Sequence, residues 1–224
     1  VAVPSGLILQ QPDLGTSLLV AISGLAAIYM AGIQWRYIFS MMALALISIW
    51  PAWVFLLKDY QKQRVLTLFN PESDRLGAGW NIIQSKTAIG SGGWEGLGWT
   101  QGSQAQLDFL PEGHTDFIIA VLAEEFGFRG VLLLFLIYAV ILGRGLVITW
   151  RAQSSFARLL GGALVATFFF GLVVNLGMVS GLLPVVGVPL PMVSYGGTAM
   201  VSMMIAFGML MAISTERRIT RTMR

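Results

Sequence analysis

Asp116 closes a proline-led polar turn, Leu110-Pro-Glu-Gly-His-Thr-Asp116, and an apolar run begins directly after it at Phe117. Two adjacent carboxylates, Glu124 and Glu125, follow within that run, and Arg129 stands four residues beyond Glu125. Ionisable groups at membrane depth are costly, so they are kept for pairing or for function. A carboxylate with an ordinary pKa of about 3.9 is charged at neutral pH and can take a proton from a hydroxyl, which is general-base chemistry. A plainer role suits the same position: an acid at the start of a helix is held by free backbone N–H groups and by the helix dipole. For Asp116 the two roles are compatible.

The order Glu125 then Arg129 is the favourable one for a helical ion pair. Such a pair would fix helix packing. Glu124 has no such local partner, which makes it the more interesting carboxylate of the two. Other residues are weaker candidates, each with a bland alternative. The run Gly90-Ser-Gly-Gly93 could present backbone N–H groups to a phosphate, although glycine runs more often only turn the chain. Lys86 and Arg75 could meet a pyrophosphate or could be solvated loop charges. His114 reads as a turn residue with one hydrogen bond. Asp13, in Gln11-Pro-Asp-Leu-Gly-Thr16, is either a helix cap or part of a polar cavity lining. Asn175 most simply hydrogen-bonds across helices, and Ser194-Tyr195-Gly-Gly197 places small residues at a helix entrance.

Apolar spans must position these residues. The chain has 224 residues, 56% hydrophobic and 11% charged, whereas soluble domains are roughly a quarter charged. Five stretches approach the ~20 apolar residues that cross a bilayer: about 15–33, 37–57, 127–150, 156–183 and 194–214, the third preceded by an outer helical segment from Phe117. The fold class expected is all-α, a polytopic membrane helix bundle forming one domain. No internal repeat is evident. There is no cysteine, so thiolate metal sites are excluded, and a single histidine excludes a multi-histidine site. The net charge of +3 is too small and scattered to suggest nucleic acid. Because it begins at Val1 without a methionine or a signal peptide, the chain reads as a fragment lacking earlier spans.

Orientation follows from basic residues beside short loops. Arg217, Arg218, Arg221 and Arg224 in the tail, Arg144, Arg151 and Arg158 near the third connection, and Arg36 near the first all fall on one side if the spans alternate. That side is expected to be cytoplasmic, which puts residues 58–115 and the 184–191 loop outside. Within 58–115, residues 58–66 read as an amphipathic surface helix, 70–74 as a turn, and 79–88 as a second helix stopped by the glycine run. Asp13, Asp116, Glu124, Glu125, Arg129, Asn175 and Tyr195 then lie towards the outer ends of their spans, which favours chemistry at the outer face over passage through the membrane.

The stretches Gln11–Thr16, Gly77-Ala-Gly-Trp-Asn-Ile-Ile-Gln84 with Gly90–Gly93, Leu110–Phe117 and Pro184–Gly197 together resemble the SEDS family, RodA and FtsW, which polymerise peptidoglycan glycan strands. The Ala123-Glu-Glu125 context and arginine-rich tail look more like RodA. The resemblance implies a ten-helix membrane fold of which this chain is the C-terminal half. It also implies a lipid II substrate at the outer face of the bacterial inner membrane, release of undecaprenyl pyrophosphate, and a class B penicillin-binding protein as partner. The family's essential aspartate maps onto Asp116. In that chemistry Asp116 is the base and Glu124 and Arg129 shape the cavity. Lys86 and the glycine run are phosphate contacts, with positive charge for the leaving group from arginine, lysine or a divalent cation. The arginine and lysine that the family uses from its N-terminal half are not in this chain, so the fragment alone is expected to be inactive. A lipid-linked precursor flippase and a non-catalytic scaffold are the rival readings.

Overall fold

The computed structural model describes residues 1–11, 13–74, 77–106, 109–110 and 112–215. Every regular element among them is helical: α1 (Ala2–Gln10), α2 (Leu14–Met30), α3 (Trp35–Pro51), α4 (Asp59–Phe69), α5 (Ala78–Gly92), α6 (Ser103–Gln106), α7 (Ile118–Arg151), α8 (Ser155–Val179) and α9 (Gly197–Thr215). Three of these, α7, α8 and α9, are long and apolar enough to cross a membrane. The apolar helices α2 and α3 have 17 residues each. α3 ends at Pro51 and continues as a wider π turn over residues 52–56, consistent with the ring of Pro51 disturbing the regular ladder. The arginine-rich tail from Glu216 to Arg224, and Arg75, lie outside the described residues.

Helix starts follow local capping chemistry. Asp13 Oδ1 accepts the Thr16 N–H at 2.9 Å and opens α2, and Ser154 Oγ accepts the Ala157 N–H at 3.1 Å and opens α8. Each satisfies one of the donors that a helix start leaves free. α5 runs to Gly92 instead of stopping before the glycine run. The run is therefore the last turn of a helix, where carbonyls and not N–H groups are left over, and the anticipated phosphate nest does not form there.

α8 is the central element, lying against α2, α5, α7 and α9. Its small residues allow this: Gly162 meets Met30 of α2, and Gly171 faces the Pro191 ring, the use that membrane bundles make of glycine. The core between α7, α8 and the loops holds Leu110, Phe117, Ala120, Phe168, Met178 and Leu190. Buried hydroxyls find carbonyls: Tyr138 donates to Pro191 O at 2.6 Å and Ser85 to Val179 O at 2.9 Å. The outward faces are apolar. Leu133, Leu136 and Val140 on α7, and Val201, Ile205 and Met211 on α9, are all exposed. Apolar faces this continuous call for a lipid solvent.

α7 is interrupted at Gly127, whose backbone angles (φ 64°, ψ −165°) are not helical. The 24 residues beyond it rise about 36 Å, enough for the ~30 Å bilayer core. The shorter segment before it, residues 118–126, is braced by the loop that follows α5.

Candidate active site

Residues 112–117 form a tight turn that delivers Asp116 to the entrance of α7. The Thr115 and Phe117 N–H groups both donate to Glu112 O, at 3.2 and 3.1 Å, and the Thr115 hydroxyl donates to the Glu112 carboxylate at 2.6 Å. Phe117 is fully buried and anchors the turn in the core. Asp116, next to it, is only partly covered. The loop from residue 184 to 195 lies alongside. Tyr195 N–H donates to His114 O at 3.0 Å, and the Ser194 hydroxyl donates to Thr115 O. The Asn175 side chain reaches from α8 to Asp116 O at 2.7 Å and Val188 O at 2.8 Å. Gly187, at φ +75°, sits beside the carboxylate, so that a Cβ there would lie 3.4 Å from Asp116 Oδ2. On the loop's other side Gly15 of α2 faces Val186 O and Val188. The 186–188 segment thus joins the start of α2 to Asp116.

Burial raises the Asp116 carboxyl above its ordinary value of 3.8, and the Glu112 carboxylate adds to the rise. Burial penalises the charged form, and a nearby like charge does the same. A base with a raised pKa holds a captured proton better. The same shift has a stability consequence. Between 3.8 and the higher folded value the native state binds more protons than the unfolded chain, so stability falls as pH rises through that window and stays lower above it. Asp116→Asn removes the charge. The variant is expected to melt above wild type at neutral pH, with the gap closing as pH falls toward 3.8, measured by thermal melts in detergent.

The two glutamates do different work from that anticipated. Glu124 is wholly buried and Oε1 accepts the Gln104 N–H at 2.9 Å and the Ser103 hydroxyl at 3.4 Å. Glu125 is nearly as buried and accepts the Thr100 N–H at 3.0 Å. Main-chain bonds continue the seam: Leu97 N–H to Glu124 O and Gly98 N–H to Glu125 O, both at 2.9 Å. The carboxylates therefore hold residues 97–104 against the first segment of α7. The expected Glu125–Arg129 pair is not formed. Gly127 breaks the helix between them, and Arg129 instead meets Glu95 at 3.1 Å with both side chains exposed, its guanidinium near the Trp94 ring. Glu124, expected to have no local partner, is met instead by the first residues of α6, about twenty positions earlier.

These environments predict unequal costs. Removing the buried Glu125 carboxylate loses its charge-assisted bond to the Thr100 N–H and is expected to cost about 1.5–3 kcal/mol, whereas an exposed pair such as Arg129–Glu95 contributes about 0–1 kcal/mol. Thermal melts of Glu125→Ala and Arg129→Ala should show a clear drop for the first and little change for the second.

The remaining candidates scatter. Asp13 is exposed and caps α2, on the far side of the 186–188 segment from Asp116. His114 and Tyr195 are exposed and joined through their main chains beside Asp116. Lys86 lies over Gly181, just past the end of α8, where a cation also suits the negative end of the helix dipole. Ser194 and Gly187 went unnoticed as site residues, since their partners are 79 and 71 positions away in the chain. Among the described residues no three histidine, aspartate or glutamate side chains gather as a metal site.

Comparison with known proteins returns one consistent answer. The FtsW/RodA/SpoVE family model, described as "Cell cycle protein", matches residues 1–219. The peptidoglycan glycosyltransferase MrdB of Escherichia coli K12 is 55% identical over 215 residues, covering 96% of this chain and 58% of MrdB. The peptidoglycan glycosyltransferase RodA of Treponema pallidum is 42% identical over 164 residues, 73% of this chain and 38% of that protein. Among solved structures, a chain from work on "Structural coordination of polymerization and crosslinking by a peptidoglycan synthase complex" superposes with a TM-score of 0.79 at 31% identity, covering 95% of this chain and 59% of that one. The chain thus spans well under two thirds of the length of these relatives.

Proposed function

This chain belongs to the FtsW/RodA/SpoVE family, nearer to MrdB and RodA than to FtsW, and we propose that the protein containing it polymerises peptidoglycan glycan strands from lipid II, with Asp116 as general base. The observation that carries the assignment is the placement of Asp116: a partly covered carboxylate, raised in pKa, at the mouth of a membrane-length helix. In the step itself the acceptor sugar's 4-hydroxyl attacks the anomeric carbon of the donor. The hydroxyl proton passes to the Asp116 carboxylate. The anomeric C–O bond breaks, and undecaprenyl pyrophosphate leaves with the electron pair. Hydroxyls are weak nucleophiles, so proton removal at the attacking oxygen is where a positioned carboxylate helps.

In this reading residues 58–115 and the 184–191 loop face outward, and the C-terminus is cytoplasmic. The spans run about 15–33, 37–57, 127–150, 156–183 and 194–214, and a class B penicillin-binding protein crosslinks the product. Cationic groups for the pyrophosphate come from Lys86 or from parts of the protein outside this chain. The test is lipid II polymerisation by the purified full-length protein with transpeptidation blocked. Glycan polymer is the expected product. Translocation of lipid II across vesicles without polymer would instead make the protein a transporter.

A further inference from the structure

Two polar side chains outside the reacting groups grip the main chain on consecutive residues at Asp116. Asn175 is wholly buried in α8, and its amide nitrogen donates to Asp116 O at 2.7 Å and to Val188 O at 2.8 Å. Two carbonyl acceptors fix which end of the amide is nitrogen, since only the NH2 can donate to both. Its Oδ1 has no partner. Leaving a buried acceptor unpaired is unfavourable, so the side chain is held in place by its donating end. Ser194, 5% exposed, makes the second grip: its hydroxyl donates to Thr115 O and accepts the Leu190 N–H at 2.7 Å. The carbonyls of residues 115 and 116 are thereby tied to the 188–194 segment from two directions.

We propose that Asn175 and Ser194 are positioning residues for Asp116, fixing the main chain of its turn on the 188–194 segment so that the carboxylate is held beside Gly187. The proposal rests on the reading of Asp116 as base. Both side chains are buried, and each acts through a carbonyl. With two consecutive carbonyls held, the Cα–Cβ direction of residue 116 has little freedom left. A base must come within about 3 Å of the proton it removes, and a displacement of about 1 Å can cost on the order of a hundredfold in rate.

The experiment measures kcat and KM for lipid II with the full-length protein, per folded molecule, for Ser194→Ala, Ser194→Thr, Asn175→Asp and Asp116→Asn. Ser194→Ala loses both bonds, and Ser194→Thr keeps the hydroxyl. Asn175→Asp keeps the shape but, when ionised, has nothing to donate to the two carbonyls. Expected are kcat losses of roughly 10- to 100-fold for Ser194→Ala and Asn175→Asp, with KM changed by less than about twofold and Ser194→Thr restoring most of the rate. Should Asn175→Asp fail to fold, the Ser194 pair decides. A folded Ser194→Ala with wild-type kcat, or a Thr variant no better than Ala, overturns the positioning role. If those results come with an inactive Asp116→Asn, only positioning is lost. An active Asp116→Asn removes the base reading and the proposal together.

Discussion

Gly127→Ala is expected to destabilise the protein by more than about 3 kcal/mol. Two costs add. At φ 64° and ψ −165° Gly127 occupies a region open essentially to glycine, which costs another residue about 1–3 kcal/mol. A Cβ would also run into the backbone of the crossing loop: Gly96 N, with Glu95 C and Trp94 O each at 2.7 Å. Those are main-chain atoms that cannot rotate away. The loop is pinned there by the Phe128 N–H to Gly93 O at 2.9 Å and the Arg129 N–H to Trp94 O at 3.3 Å. Moving it would pull Thr100, itself at φ 59°, away from Glu125. Gly143→Ala is the control, because a Cβ at that position of α7 meets nothing within 4 Å. Thermal melts of the two variants should differ widely, with Gly143→Ala near wild type.

The second large effect is on catalysis. General-base assistance contributes about 10²–10⁴-fold, so Asp116→Asn is expected to lower the polymerisation rate by at least about a hundredfold. Asparagine keeps the size of the side chain and cannot accept the proton at neutral pH. Asp116→Glu is expected to recover little of that loss. Asp116 Oδ2 already lies next to Gly187, and one more methylene would drive the carboxylate into the 186–188 segment against which Gly15 of α2 also rests. Glu112 does not substitute, since its carboxylate is engaged by the Thr115 hydroxyl at 2.6 Å. The initial rate of glycan polymer formation reads both variants.

How much of this the sequence displays depends on how local each signal is. Asp116 is legible because a turn followed by an acid and an apolar run is written in consecutive residues. Asp13 as a cap is legible for the same reason, and the structure shows that bond. The reading of Glu125 with Arg129 fails because a four-residue spacing presumes an unbroken helix. The sequence reading divides an outer helical segment from a span beginning at Gly127, yet nothing local says that this glycine leaves the helix. Its conformation is imposed by the 93–98 loop, about thirty positions earlier. The glycine run at 90–93 misleads in the opposite sense. Glycine is a weak helix former, yet α5 persists to Gly92 because only a residue without a side chain can approach Ala123 of α7 there. Ser194 looks like a small residue at a helix entrance, and its hydroxyl role emerges only when residue 115 is folded against it.

Lipid II polymerisation and thermal melting of the full-length protein, wild type against Asp116→Asn in the same preparation, decide whether Asp116 is the base. The predicted result is a split: polymer from wild type, at least about a hundredfold less from the variant, and a variant that melts higher at neutral pH because the half-buried charge is gone. A folded Asp116→Asn that makes polymer at the wild-type rate would contradict the assignment and leave Asp116 as no more than part of the turn that starts α7.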